Sequence, residues 1–125
     1  MEDYIEQALR TESYDLESIA NRLTTPWVIR LNHVADGLCT EAGEFKDAMK
    51  KYVYYGKNLD SVNLMEEIGD IFWYLAIACD QLGIDFNYVQ EQNIAKLKAR
   101  YPEKFNSENA LNRNLEVERQ VLEND

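Results

Sequence analysis

Apolar residues recur at spacings of three and four along almost the whole chain, and the period-two alternation of a strand is nearly absent, so the pattern predicts an all-α protein. Residues 3–9 and 14–23 read as two short peripheral helices, the second capped by Ser13. Thr25 followed by Pro26 is a stronger start signal, because a proline in the first turn gives up no helical hydrogen bond. From there Val28, Leu31, Val34, Ala35, Leu38, Ala42, Phe45 and Met49 trace one apolar stripe. Turn chemistry interrupts it at Tyr55-Gly56-Lys57-Asn58, and Asp60 or Ser61 can cap the helix that follows. The stripe of that helix is Leu64, Ile68, Ile71, Phe72, Leu75, Cys79 and Leu82, with Gly83 ending it. Asp85 caps a third long helix that reaches Arg100 and stops before Pro102. Ser107 opens a last amphipathic segment carrying Leu111, Leu115, Val121 and Leu122. With 125 residues and no low-complexity tract, a single helical domain is expected. It divides into peripheral helices at 1–24, a core at 26–105 and a C-terminal helix at 106–125.

Two stretches inside these helices say nearly the same thing. Glu41-Ala42-Gly43-Glu44-Phe45 and Glu67-Ile68-Gly69-Asp70-Ile71 each read carboxylate, apolar or small, glycine, carboxylate, apolar. Residues three apart on a helix are about 60° apart and one turn up, so each stretch aims two carboxylates in one direction. The turn at Tyr55-Gly56 lies midway between them, about nine residues or roughly 14 Å of helix from either. Folding back there brings the two stretches face to face, at the edge of the apolar stripes. Gly43 and Gly69 each cost about 1 kcal/mol relative to alanine inside a helix, which predicts close approach of a backbone or a ligand. Four acids gathered without basic partners repel one another, so the cluster predicts bound cations. Hard oxygen ligands suit Mg²⁺, with Mn²⁺ as an alternative, and Mg²⁺ usually shares its coordination sphere with substrate phosphates. A di-iron site is disfavoured, because no Glu-x-x-His pair is present. Glu66 is at most auxiliary, and Asp47 reads as a surface acid.

The bulk composition narrows the partners. A formal net charge of −10 leaves no basic stripe to neutralise nucleic acid, while a small phosphorylated substrate stays compatible once a metal screens it. Met1-Glu2-Asp3 opens no apolar targeting segment and no run reaches membrane-spanning length, so a cytoplasmic location without membrane partners is expected. Cys39 and Cys79 lack zinc-ligand spacing and are expected as packed thiols in a reducing compartment. On the third long helix Phe86, Val89, Asn93 and Leu97 share a face, placing an amide in an apolar row. Lys96 and Arg100 stand beside it, which suggests a phosphate- and nucleoside-binding face. Tyr74, Trp73 and Trp27 are available for base stacking but equally suit a core, and His33 reads as structural or exposed.

Taken together, these residues resemble the MazG-like branch of the all-α nucleoside triphosphate pyrophosphohydrolases, which carries Glu-x-x-Glu, a spacer, then Glu-x-x-Asp. The resemblance runs from Gly37-Leu38 through both acidic stretches and Ile71-Phe72-Trp73-Tyr74-Leu75 to Asn93-Ile94-Ala95-Lys96-Leu97 and Arg100-Tyr101-Pro102, covering about residues 28–105. It implies a four-helix-bundle-type fold assembled as a homodimer or homotetramer, and cleavage of a (d)NTP to (d)NMP and pyrophosphate. Carried over by position, Glu41, Glu44, Glu67 and Asp70 are metal ligands, and Asn93 and Lys96 are substrate contacts. Tyr74, Lys57 and Arg100 join them as candidate contacts. The tail around Asn112-Arg113 and Glu118-Arg119 looks similar to a subset of phage and bacterial relatives, so the compartment would be a host cytoplasm if the chain is phage-encoded.

A mechanism follows as an expectation. One or two Mg²⁺ held by the four carboxylates acidify a water that attacks the α-phosphorus, Glu44 takes the proton, and Lys96 and Lys57 meet the charge of the departing pyrophosphate. Within the same fold, hydrolysis of phosphoribosyl-ATP or dUTP is the rival reading. From another class, the rival is a non-catalytic acidic helical module that binds a protein.

Overall fold

The computed structural model describes residues 3–124, and among them every regular element is a helix. In chain order these are α1 (Tyr4–Leu9), α2 (Leu16–Leu23), α3 (Pro26–Tyr55), α4 (Ser61–Leu82), α5 (Phe86–Arg100), α6 (Ser107–Leu111) and α7 (Leu115–Glu123). None of them is long and apolar enough to cross a membrane. Packing divides the chain into two compact units, Met1–Ala78 and Cys79–Asp125, with the division falling inside α4.

The caps explain most of the boundaries. In α3, Pro26 stands in the first turn, and Gly56 closes the far end in the left-handed region at φ 67°. There the Gly56 and Lys57 amides donate to the carbonyls of Tyr52 and Lys51, an arrangement a side chain at position 56 would strain. Asp60, rather than Ser61, starts α4, its carboxylate accepting from the amides of Val62 and Asn63 at 3.0 and 3.2 Å. Asp85 caps α5 as expected. The cap of α2 is Asp15, which accepts from the Ser18 amide, so Ser13 has no such role. The tail is broken where a single segment was expected. Asn106 and Asn114 each cap a helix of their own, and Asn112 and Arg113 form the joint.

In the first unit α3 and α4 form an antiparallel hairpin, since residues early in α3 meet residues late in α4. The tightest point is Gly37, where an added Cβ would stand only 2.1 Å from the Tyr74 ring. Tyr74 meets Trp73 and His33 edge-on, with ring centroids at 4.9 and 5.6 Å. Replacing Gly37 by alanine is therefore expected to cost about 2 kcal/mol, read by chemical denaturation, because a half-buried ring must move. An added Cβ at Gly43 or Gly69, in contrast, would meet nothing within 4 Å among the described residues outside its own helix turn. The expectation of close backbone packing at those two positions is corrected, and Gly43→Ala should stabilise the free chain by up to about 1 kcal/mol.

The stripes are covered unevenly. Val34 is buried on α3, and Leu31, Leu38, Phe45 and Met49 are half-buried, as the periodicity predicts. On α4 the covered row is Leu64, Glu67, Ile71, Tyr74 and Leu75, whereas Ile68 and Phe72 remain 45% and 52% exposed. The chain's own packing is thus rotated toward Glu67, leaving part of the predicted stripe open. Cys79 is half-buried, but Cys39 is exposed, which corrects its reading as a packed thiol.

The second unit is held by α5 and α7. Glu118 on α7 is buried at 4% exposure, and its carboxylate accepts from two guanidinium groups. Arg100 Nε and Nη2 donate at 2.6 and 3.0 Å, and Arg113 Nη2 donates at 2.6 Å. Asn109 adds a bond from its Nδ2 to the Arg100 carbonyl at 2.9 Å.

Candidate functional site

The hairpin register places Glu41 one turn beyond Gly37 on α3 and Asp70 one turn before Tyr74 on α4. The close Gly37–Tyr74 approach therefore sets the spacing of the acids next to it. Glu41, Glu67 and Asp70 each present an oxygen, all within 4.8 Å of one another. Their burial differs. Glu67 is only 5% exposed, Glu41 is half-buried and Asp70 is exposed. Glu44 lies at the edge of this group, exposed and lining the adjoining cavity rather than belonging to the tight trio.

The electrostatics show what this proximity costs. Contact with the Glu67 carboxylate, loss of water and the charges of Glu44 and Asp70 push the Glu41 carboxyl up to about 7. Glu44 is also raised, first by the charge of Glu67. On Glu67, Oε1 accepts from Asn63 Nδ2 at 2.9 Å, while Oε2 is buried with no hydrogen bond. A buried carboxylate oxygen without a donor is costly. An all-oxygen set around such an atom fits a hard divalent cation, which would neutralise the repulsion and satisfy Oε2.

Beside the acids lies a cavity of about 370 Å³. Glu44 and Glu67 form one wall, and Lys51, Lys57, Asn58 and Asn63 contribute donors. Lys51 pairs with Asp47 one turn earlier at 2.6 Å, and Asp47 lines the same cavity. Lys57, brought in by the turn after Gly56, is where the sequence placed a phosphate contact.

Other sequence-derived contacts fare differently. Tyr74 has its ring seated on Gly37 and edge-on to His33, so it takes part in the packing of the hairpin. Arg100 places one edge of its guanidinium, Nε and Nη2, on buried Glu118. Asn93 is exposed, not an amide inside an apolar row. The amide that is tucked in on α5 is its neighbour Gln92, whose Oε1 is buried without a hydrogen bond. Lys96 is half-buried on the same helix. Sequence reasoning missed Asn63 altogether. Its signal was present, an amide four residues before the first acid of the second stretch, one helical turn away.

The comparisons with known proteins say which family this all-α hairpin and its converging acids belong to. Residues 29–105 match the MazG nucleotide pyrophosphohydrolase domain, more than half of the chain, and the protein belongs to that family. The Gene 37 protein of Mycobacterium phage L5 is 36% identical over 76 residues, covering 56% of this chain and 65% of that protein. The chain thus spans slightly less than two thirds of that relative's length. No solved structure gives a significant match.

Proposed function

We propose that the protein hydrolyses nucleoside triphosphates, ribo- or deoxyribo-, to the monophosphate and pyrophosphate in the presence of Mg²⁺, with Mn²⁺ able to replace it. The observation that carries this reading is buried Glu67, with one oxygen lacking a hydrogen bond at the centre of a converging acid group. When bound, the ion supplies positive charge against the triphosphate and makes water more acidic. The residues of the chain do the rest. Glu41, Glu67 and Asp70, with Glu44 at the margin, would hold the cation. Glu44 is exposed and raised, the state suited to accepting a proton from the water that attacks the α-phosphorus. Lys57 on the cavity wall meets the charge of the departing pyrophosphate. Asn93 and Lys96 are proposed as further substrate contacts from their match to the family pattern.

Product analysis across a panel of NTPs and dNTPs, with and without Mg²⁺, tests the reading. Monophosphate and pyrophosphate formed only with the metal are expected. Diphosphate and orthophosphate would place attack at the wrong phosphorus. Turnover confined to dUTP or phosphoribosyl-ATP would narrow the substrate, and divalent binding without any turnover would favour a binding module.

We also propose a symmetric homodimer or homotetramer. The support is the exposure of Ile68 and Trp73 on the hairpin, at 45% and 56%. Light scattering is expected to give the mass of two or four chains, and a monomer at micromolar concentration would overturn the assembly.

A further inference from the structure

Resting on the reading of the acid group as a divalent site, we propose that Asn63 is a positioning residue that makes Glu67 a one-oxygen ligand and so tunes the site toward Mg²⁺ over Ca²⁺. A carboxylate on a helix can turn about its last bond and offer either oxygen, or both. Here it is held. Asn63 lies one turn earlier on α4, and its amide nitrogen donates to Glu67 Oε1 at 2.9 Å. The acceptor is a carboxylate, so the amide must present its NH₂ side to it. Glu67 is 5% exposed, so no bulk water competes for that oxygen, and Oε2 is left as the oxygen without a donor.

The chemistry of the two ions turns this into a preference. Mg²⁺ demands near-octahedral geometry at short distances and takes carboxylates through single oxygens, whereas Ca²⁺ accepts six to eight ligands and binds carboxylates through one oxygen or two. The bond to Oε1 takes one of that oxygen's two acceptor sites and so disfavours the two-oxygen mode at the most buried ligand of the group. Partners behind a ligand of this kind typically change metal affinity by 10–100-fold when removed. Asn63 also lines the cavity next to the acids, so the bond lies within the proposed site rather than on a remote face.

Asn63→Leu removes the donor on a side chain branched at the same carbon, and Asn63→Gln keeps an amide on a longer arm. Leucine and glutamine both favour helix more than asparagine, so neither change threatens α4 itself, and circular dichroism checks that the fold is kept. The measurement uses nucleotide-free full-length protein. Bound Mn²⁺ is followed by electron paramagnetic resonance and displaced with Mg²⁺ or Ca²⁺. For Asn63→Leu the Mg²⁺ affinity is expected to fall by about tenfold, with a clearly smaller loss for Ca²⁺, so the Mg²⁺-over-Ca²⁺ preference drops. Asn63→Gln is expected to recover part of that preference. Equal weakening for both ions, or no change in Asn63→Leu, would overturn the positioning role while leaving the metal site standing. Failure of the unaltered protein to bind Mn²⁺ would instead remove the site reading on which the role depends.

Discussion

Glu67→Gln is expected to reduce nucleotide hydrolysis by at least about 10²-fold while leaving the metal-free protein as stable as before, or more so. The two outcomes share one cause. In the metal-free chain Glu67 is a buried carboxylate facing Glu41 and Asp70, and it is the largest reason the Glu41 carboxyl rises to about 7. An amide of the same shape keeps the volume, removes the charge and lets Glu41 ionise closer to its ordinary value. The same shift gives a pH signature. A carboxyl whose folded value is raised contributes stability below its unfolded value near 4.5 and loses it as pH rises through about 7. Thermal melts of the metal-free protein should therefore decline from pH 5 to pH 8, and the decline should be shallower in Glu67→Gln. Mg²⁺ should raise the midpoint of the parent protein at pH 8 and have little effect on the variant. Undiminished hydrolysis by Glu67→Gln would remove Glu67 from the ligand set.

The second large effect belongs to the C-terminal unit. Glu118→Gln is expected to lower the melting midpoint by roughly 10 °C and to strip hydrogen-exchange protection from α7, because Arg100 and Arg113 lose their shared counter-charge at a buried position. Hydrogen bonds from Arg100 and then Arg113 hold the Glu118 carboxyl down at about 2, well below its ordinary value of 4.5. The sign is opposite to that of Glu41. This contribution is fully present above about 4.5 and is lost as pH falls through about 2, so the parent protein should lose midpoint across that acid range. Glu118→Gln should be less sensitive there. Unchanged protection along α7 in the variant would mean that apolar contacts alone fix that helix.

Local features of the chain were legible from its sequence, and pairings across it were not. Pro26 with Thr25, Gly56, Asp60 and Asp85 announce helix ends through their own backbone and side-chain chemistry, and the structure uses each of them. The two acidic stretches were legible because three-residue spacing on a helix has one geometric meaning, and the turn midway between them set the register. Gly43 and Gly69 drew no neighbouring backbone, because their cost is local while the space around them is not. The glycine on which α3 and α4 close is Gly37. The partner of Arg100 was hidden for a similar reason. A base beside an amide looks like a phosphate contact until Glu118, eighteen residues later, is seen beneath it. The break between α6 and α7 was foreseeable, since Asn112 and Asn114 are poor helix interiors and Asn114 is a good cap.

The ion pair of Glu118 also has a bearing on where this protein can be cut. The family match ends at residue 105, thirteen residues before Glu118, yet Arg100 inside the match depends on that carboxylate. A fragment trimmed to the shared segment would keep the guanidinium and discard its anion, along with the Asn109 bond to the Arg100 carbonyl. The evolutionary edge of the domain and its folding edge therefore fall at different places. Recombinant fragments, fusions and chimaeras of this chain need to carry α7 to remain whole.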